Sequence, residues 1–507
     1  MAGLVSVKPS SAQVAMQYSK PTLGQVLVVE QEKSFMSQTA PSSSNASIGS
    51  GMPENRLYQA FWRWHFYAGL FVIPFMLVLA ITGGIYLFKP QLDGMMYRNL
   101  LVVQPSAATA VAYTQQVEAV QQAYPDATVT KIVPPIALDR STEVQITTVD
   151  DRNLMVFVNP YTAEVLGDRD EDNNFQAIVR KIHGELLIGQ WGDYLVELAA
   201  CWGLVLLVSG LYLWLPRRGF SLFGTLIPRF WSQSRRIFWR DLHAVPGFYG
   251  ILLIGFLILT GLPWSGFWGD TFANVWGRFP ASMWDNVPQS TVLTGKLNQQ
   301  GDQVVPWAVE KLPMPYSVLL VHNHSGSSTA NHSTVDVDSV INLAQSEGAP
   351  PGFSVSLPEG ETGVYTVSAF PDDPTQEVTM HIDQYSGQVL ADVRWQDYGL
   401  VPKSVEMGIA IHMGKYFGWM NQLLMLAGCV ILVLLCISGI VMWWQRRPSG
   451  QLGVPPMPMD GNQWKVPVAI VAVLGVLFPL VGMSLVIVLL LDYLIIRRIP
   501  PLKRIFS

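Results

Sequence analysis

The chain has 507 residues, of which half are hydrophobic and 14% charged, and a mean hydropathy of +0.28. These values fit a multi-pass membrane protein with sizeable polar parts. A formal net charge of −5 without any basic domain gives no surface for nucleic acid. The three cysteines, Cys201, Cys429 and Cys436, lie in apolar runs and can build neither a Cys-x-x-Cys metal site nor a disulfide framework.

Residues 1–55 are rich in Ser, Gln, Ala and Val, lack the apolar core of a cleaved signal peptide, and read as a disordered cytoplasmic tail. A first span, about 61–88 in a segment 56–90, opens on Trp62-Arg63-Trp64-His65 and can cross a hydrocarbon core of roughly 30 Å. Residues 91–180 change character. Short β-branched runs at 127–133, 143–149 and 155–158, with a helical stretch at 114–124, predict a small α+β domain outside the membrane. A second span, about 194–215 in a segment 181–218, closes on Pro216-Arg217-Arg218. A third, about 245–264 in a segment 241–266, follows the loop 219–240. Residues 217–240 hold six arginines and no acid, so the loop is expected in the cytoplasm and both soluble stretches in the periplasm. The second soluble stretch, 267–405, has strand-like runs at 363–368 and 377–382 and Gly-, Pro-, Ser- and Asn-rich insertions around 281–352. A fourth span, about 419–444 in a segment 406–447, leads through a cytoplasmic linker, 448–465, to an apolar run at 466–496. That run predicts either one more crossing or, with a break near Phe478-Pro479-Leu480-Val481-Gly482, a re-entrant hairpin. A crossing would place the basic end, Arg497-Arg498 and Lys503-Arg504, outside, against the positive-inside rule.

The spans repeat one another. From His183, glycine follows after six residues (Gly189), Ser209-Gly210 begins after 26 and Arg217-Arg218 after 34. From His412 the same intervals lead to Gly418, Ser438-Gly439 and Arg446-Arg447. His65 and His243 are each followed by glycine at +4 (Gly69, Gly247) and Thr-Gly at +17 and +18 (Thr82-Gly83, Thr260-Gly261). Outside the spans, 383–391 (DQYSGQVLA) matches 159–167 (NPYTAEVLG) without a gap. The predicted fold is a mainly α-helical membrane protein: duplicated pairs of transmembrane helices, four plus a C-terminal apolar segment, with two small periplasmic α+β domains.

Four of the eight histidines thus fall at equivalent helix ends, His65 and His243 at the cytoplasmic surface, His183 and His412 at the outer one. An ionisable residue at membrane depth marks function by default, and neutral imidazole is an axial ligand of haem iron. Two imidazoles from different helices can hold one b-type haem without a Cys-x-x-Cys-His attachment motif, which is absent. The pairs His65/His243 and His183/His412 therefore predict two b haems stacked across the bilayer, their irons roughly 20 Å apart. The bland reading of each is an interfacial histidine bonded to backbone or headgroup; zinc would want three or four clustered ligands. From His183 to Arg217 one straight helix would measure about 51 Å, so a break is expected, with Gly189, Gly192, Gly414 and Gly418 as break points. His322, His324 and His332 fit a solvated polar loop better than a metal contact, and His381 a strand position equivalent to Phe157. Arg217-Arg218 and Arg446-Arg447 read as topology anchors before propionate partners. Trp62, Trp64, Trp264 and Trp419 read as interfacial belt residues before electron-path residues.

His65-x3-Gly69, Asp241-Leu-His243-x3-Gly247, His183-x5-Gly189 and His412-x-Gly-x3-Gly418, with Tyr-[Ser/Thr]-[Gly/Ala]-x-Val-Leu in each outer stretch, resemble the PepSY-associated transmembrane family over about 56–447. The 478–482 stretch is also similar. The resemblance implies PepSY-like outer domains and an inner-membrane protein akin to di-haem ferric-siderophore reductases, oxidoreductases that reduce a ferric chelate at the periplasmic face and release Fe(II) for iron uptake. Some relatives append a flavin and NADPH-binding reductase. No glycine-rich fingerprint for one is present here, so an external donor is expected: a quinol, a reduced flavin or a separate reductase. Two rival classes remain. One is a haem-free scaffold or regulator whose outer domains bind or inhibit an envelope peptidase. The other is a transporter, disfavoured because the spans lack ionisable residues at the midplane.

Overall fold

The computed structural model describes residues 53–491 except 108, 218, 278–286, 300–303, 319–333, 450 and 456–464, and in addition 494 and 498. The expectations for residues 1–52 and for His322, His324, His332 and Arg218 therefore lie outside the described residues.

Among these, four helices are long and apolar enough to cross a membrane: Leu57–Tyr86, Gln190–Trp214, Arg235–Trp264 and Trp419–Arg446. The first lies in α1 (Pro53–Tyr86). Two short helices follow, α2 (Lys89–Met96) and α3 (Arg98–Leu101), then α4 (Tyr113–Ala123) and strands β1 (Thr128–Val133), β2 (Thr142–Thr147), β3 (Asn153–Val158) and β4 (Val165–Asp170). The chain returns through α5 (Phe175–Glu185) and the long α6 (Gln190–Trp214), and the arginine-rich loop leads to α7 (Arg235–Gly261). Beyond it come α8 (Trp268–Trp276), a two-stranded ribbon of β5 (Gln289–Leu293) and β6 (Pro313–Pro315), α9 (Val337–Ser346), β7 (Ser354–Ser356), β8 (Val364–Ala369), β9 (Val378–Asp383) and β10 (Val389–Arg394). The chain then descends through α10 (Leu400–His412) and α11 (Trp419–Arg446), and ends in α12 (Lys465–Leu477) and α13 (Pro479–Leu491).

The bundle closes on itself: α1 packs on α6 and α11, and α7 on the same two helices. Small and thin side chains at the centre, among them Val72, Met76, Ala199 and Cys436, let the axes approach. Larger ones, such as Leu252, Val208 and Ile81, stay exposed on the outside, as a lipid-facing surface requires. The three cysteines are buried and free.

Three of the four expected break points, Gly189, Gly414 and Gly418, lie at breaks, whereas Gly192 falls inside the first turn of α6. Helix α5 ends with Leu186 and Leu187 at φ 52° and 60°, and α6 starts after Gly189 at φ 62°. In the other half Gly414 (φ 74°) and Gly418 (φ 58°) separate α10 from α11. The positive φ at Gly189, Gly414 and Gly418 suits glycine. The segments 181–218 and 406–447 are therefore each two helices, and His183 and His412 stand on the short one, beyond the spanning helix. The last apolar run also breaks, at Phe478-Pro479, where proline stops α12. Helices α12 and α13 fold back on each other at Gly475 and Gly482. At 13 residues each, about 20 Å long, both are short for a crossing.

The outer stretches differ from the expectation of two separate domains. Eight strands form one antiparallel sheet in the order β10-β9-β8-β7-β1-β2-β3-β4, with its seam where Lys131 and Ile132 pair with Ser356 and Val355. Strand alternation explains why the halves fuse. A row of Val156, Val144, Ile132, Val355, Val367 and Met380 runs across six strands and through the seam, with no exposed surface. It shares one core with Val120 of α4 and Val340, Ile341 and Ala344 of α9, each such side chain contributing about 1.5–3 kcal/mol. The next row on the opposite face is polar: Gln145, Lys131, Ser356, Thr366 and His381, all buried. His381 is a strand residue, as expected, bonded to the Thr366 hydroxyl at 3.0 Å.

Candidate functional site

Each of the four repeat-equivalent histidines meets a hydroxyl-glycine pair on a neighbouring helix. His65 of α1 has Nδ1 2.9 Å from Ser209 Oγ of α6. His183 of α5 has Nδ1 3.0 Å from Thr82 Oγ1 of α1. His243 of α7 has Nδ1 3.0 Å from Ser438 Oγ of α11, and His412 of α10 has Nδ1 2.8 Å from Thr260 Oγ1 of α7. The residue after each hydroxyl is glycine. A Cβ placed on it would lie near the imidazole Cε1, at 3.2 Å for Gly210, 3.1 Å for Gly83, 3.7 Å for Gly439 and 3.6 Å for Gly261. The hydroxyl thus aims the ring, and Gly210 and Gly83 make room for its edge, while at Gly439 and Gly261 a Cβ would reach only ordinary contact. Gly408, one turn before His412, lets α10 approach α7: a Cβ there would sit 2.8 Å from Thr260 Cγ2.

The hydroxyl protons fix the tautomer. Thr82 donates to the Val78 carbonyl at 2.7 Å, Thr260 to Phe256 at 2.7 Å and Ser438 to Leu434 at 2.6 Å, with Ser209 donating to Leu206 at 3.2 Å. A hydroxyl has a single proton to give. With that proton committed to the helix, its oxygen accepts from the histidine, so Nδ1 carries the hydrogen and Nε2 presents a lone pair. That is the neutral, oriented form of a metal-ligating imidazole.

The rings pair across the two halves of the chain. His65 and His243 have centroids 6.4 Å apart and planes at 89°. Two metal–imidazole bonds of about 2 Å and two ring radii of about 1 Å add to about 6 Å, so the gap matches one metal centre between them. His183 and His412 also lie near each other. His65 and His243, at the end of the bundle near the basic loop, thus fit one bis-imidazole haem, and His183 and His412 are the ligands a second would use at the end near the sheet. Among the described residues no three His, Cys, Asp or Glu side chains group as a metal site, whereas a structural zinc site needs four ligands.

At the loop end, Asp241, two residues before His243, is buried and gripped by two arginines. Arg229 donates from Nε at 2.7 Å and Nη2 at 3.0 Å, and Arg240 from Nη2 at 2.6 Å. This bidentate grip fastens the basic loop to α7. Arg217 lies over Tyr58 and Tyr212, Arg446 over Trp62 and Phe66, and Arg447 over Trp443 and Trp444. These cation–π contacts fit anchors at the helix ends. Trp264 and Trp419 are exposed at helix ends, as belt residues are.

The repeat spacing marks Thr82, Ser209, Thr260 and Ser438 in the sequence, but as signs of internal repetition. Their role needs the helix pairing, because each serves a histidine more than 100 residues away in the chain.

Four helices long and apolar enough to cross a membrane, with two histidines at one end, two more on short helices at the other and an antiparallel sheet beyond them, define a membrane protein with four oriented histidines at equivalent places. The chain belongs to the family described as PepSY-associated TM region, whose model matches residues 62–446. No curated protein matches it.

Proposed function

We propose that this protein is a di-haem b electron carrier of the bacterial inner membrane, assembled from two copies of a helix-pair and PepSY-like unit, with the sheet in the periplasm. Its reaction is that of a ferric-chelate oxidoreductase. Electrons from a quinol, a reduced flavin or a separate reductase enter at the His65/His243 end, and a ferric-siderophore or similar acceptor is reduced near the His183/His412 end, freeing Fe(II). His65 and His243 would hold one haem, His183 and His412 the other. When bound, the haems supply reversible one-electron chemistry. The chain supplies the rest: four hydroxyls orient the imidazoles, Gly83 and Gly210 admit His183 and His65, and the apolar bundle excludes water.

The observation that carries this reading is the helix-bonded hydroxyl beside each Nδ1. Four hydroxyls, each placed to donate to a carbonyl of its own helix, leave four Nε2 atoms as acceptors, with the His65 and His243 rings facing each other. The test is an absorption spectrum of the purified protein before and after dithionite, with the haem-to-protein ratio. Two haems are expected, and one in His412→Ala. Absence of Soret absorption, or tolerance of His→Ala at all four positions, would replace this reading with that of a haem-free scaffold.

A further inference from the structure

The sheet end holds a group of buried acids that the histidine geometry does not use. Glu406 stands on α10, six residues before His412, without exposed surface. Its Oε1 accepts from the Ala308 amide at 2.8 Å, and its Oε2 has no partner. Glu377, just before β9, is 1% exposed; its carboxyl makes no well-aligned hydrogen bond and has the Tyr398 hydroxyl beside it. Tyr398, from the turn that leads to α10, is 3% exposed and lies beside both acids, its hydroxyl next to the Glu377 carboxyl. Glu310 comes third, taking a hydrogen bond from Asn298 at 2.6 Å.

The surroundings are apolar: Trp307, Ile409 and Ala273, with Phe272, Phe370, Val405 and Met413 packed around them. Charge compensation is thin. Lys415 acts on both acids from a position over the Phe370 ring. Lys311 acts on Glu310 but is paired with Asp270, while Asp373 and Asp397 add negative charge. Two ionised carboxylates side by side in such a place are too costly to persist. Burial, then mutual repulsion, pushes Glu377 well above the usual carboxylate range, and burial does the same to Glu406. Burial moves Glu310 to about 7.

We propose that Glu377, Glu406 and Tyr398 form a proton-loading site, which takes up one proton from the sheet-side solution when an electron reaches the His183/His412 pair and returns it when the electron leaves. This rests on the electron-carrier reading above. The exchange balances. One electron comes from a donor of the quinol or reduced-flavin class through the His65/His243 end, one carboxyl O–H bond forms, and the charge of the sheet end is unchanged. When the electron passes to a ferric chelate, that O–H bond breaks and the proton goes to the solution or to the chelator set free. Six residues of α10 put Glu406 about 9 Å along the helix from His412. At that range one unit of charge alters proton affinity on the order of tenfold. Tyr398, positioned over both acids, relays the proton between them.

The experiment uses the full-length haem-loaded protein, with the midpoint potential of each haem followed from about pH 6 to about pH 9. The potential of the sheet-end haem is expected to fall with pH, by at most about 59 mV per tenfold change in proton activity, and that of the loop-end haem to stay flatter. Glu406→Gln and Glu377→Gln keep shape while removing the titrating proton, and each should flatten the slope. A native slope retained in both overturns the proposal. Infrared spectroscopy provides an arm that needs no haem: a protonated-carboxyl band is expected at neutral pH and should be lost in the Gln variants. Lack of that band rejects the acid site by itself, whereas lack of haem absorption rejects the carrier reading.

Discussion

Thr260 gives its only proton to the Phe256 carbonyl 2.7 Å away, and so meets His412, at 2.8 Å, as an acceptor. The side chain closes a hydrogen bond within its own helix and sets the protonation pattern of a ring on another. Thr260→Ala removes that control, while Thr260→Ser keeps it. Loss of such a supporting group costs on the order of 10–100-fold in metal-group affinity. Transfer of haem to a scavenger protein should therefore be faster from the sheet-end site in the Ala variant and near native in the Ser variant. Equal rates in all three would remove Thr260 from the site.

Gly210 tests the fit from the other side of the ring. A Cβ there would lie 3.2 Å from His65 Cε1, tight enough that the imidazole must shift by tenths of an ångström. Gly210→Val is expected to lower occupancy of the loop-end site and leave the sheet-end site filled. Gly94→Ala, in open space, serves as the control with no effect. The haem-to-protein ratio reads both.

Asp241→Ala should loosen the basic loop. The carboxylate is 1% exposed, but its partners Arg229 and Arg240 are 30% and 55% exposed and can rehydrate. The cost therefore falls nearer about 2 kcal/mol than the value for a fully buried pair. Limited proteolysis should cut the variant faster within residues 219–234, with the sheet end unaffected.

His381 carries an acid-sensitivity prediction. Burial holds its imidazole down at about 4, against 6.5 for an unperturbed ring. Between these values the unfolded chain binds the proton and the folded sheet does not. The contribution of this group to stability is thus full above about pH 6.5 and is lost as pH falls through about 4. His381→Gln should flatten that acid limb, as read by hydrogen exchange in β8 and β9.

Much of the bundle was legible because its signals are local. Span lengths, the breaks at Gly189, Gly414 and Gly418, and the stop at Pro479 follow from apolar run length and backbone preference. The fusion of the outer stretches was not legible. Val355 and Ile132 each alternate correctly within their own strands, but nothing local says that β7 lies beside β1, more than 200 residues away. The acid cluster stayed hidden for the same reason. Glu310, Glu377 and Glu406 come from three separated segments, and each reads alone as a solvated charge.

The β1–β7 seam has a mechanical consequence. A carrier that works by swinging one half of itself against the other needs a hinge between the halves. Here the two halves share hydrogen bonds and a single unbroken row of core side chains. Opening them would tear a sheet, so the bundle is braced like a closed frame. In such a frame neither half moves without the other.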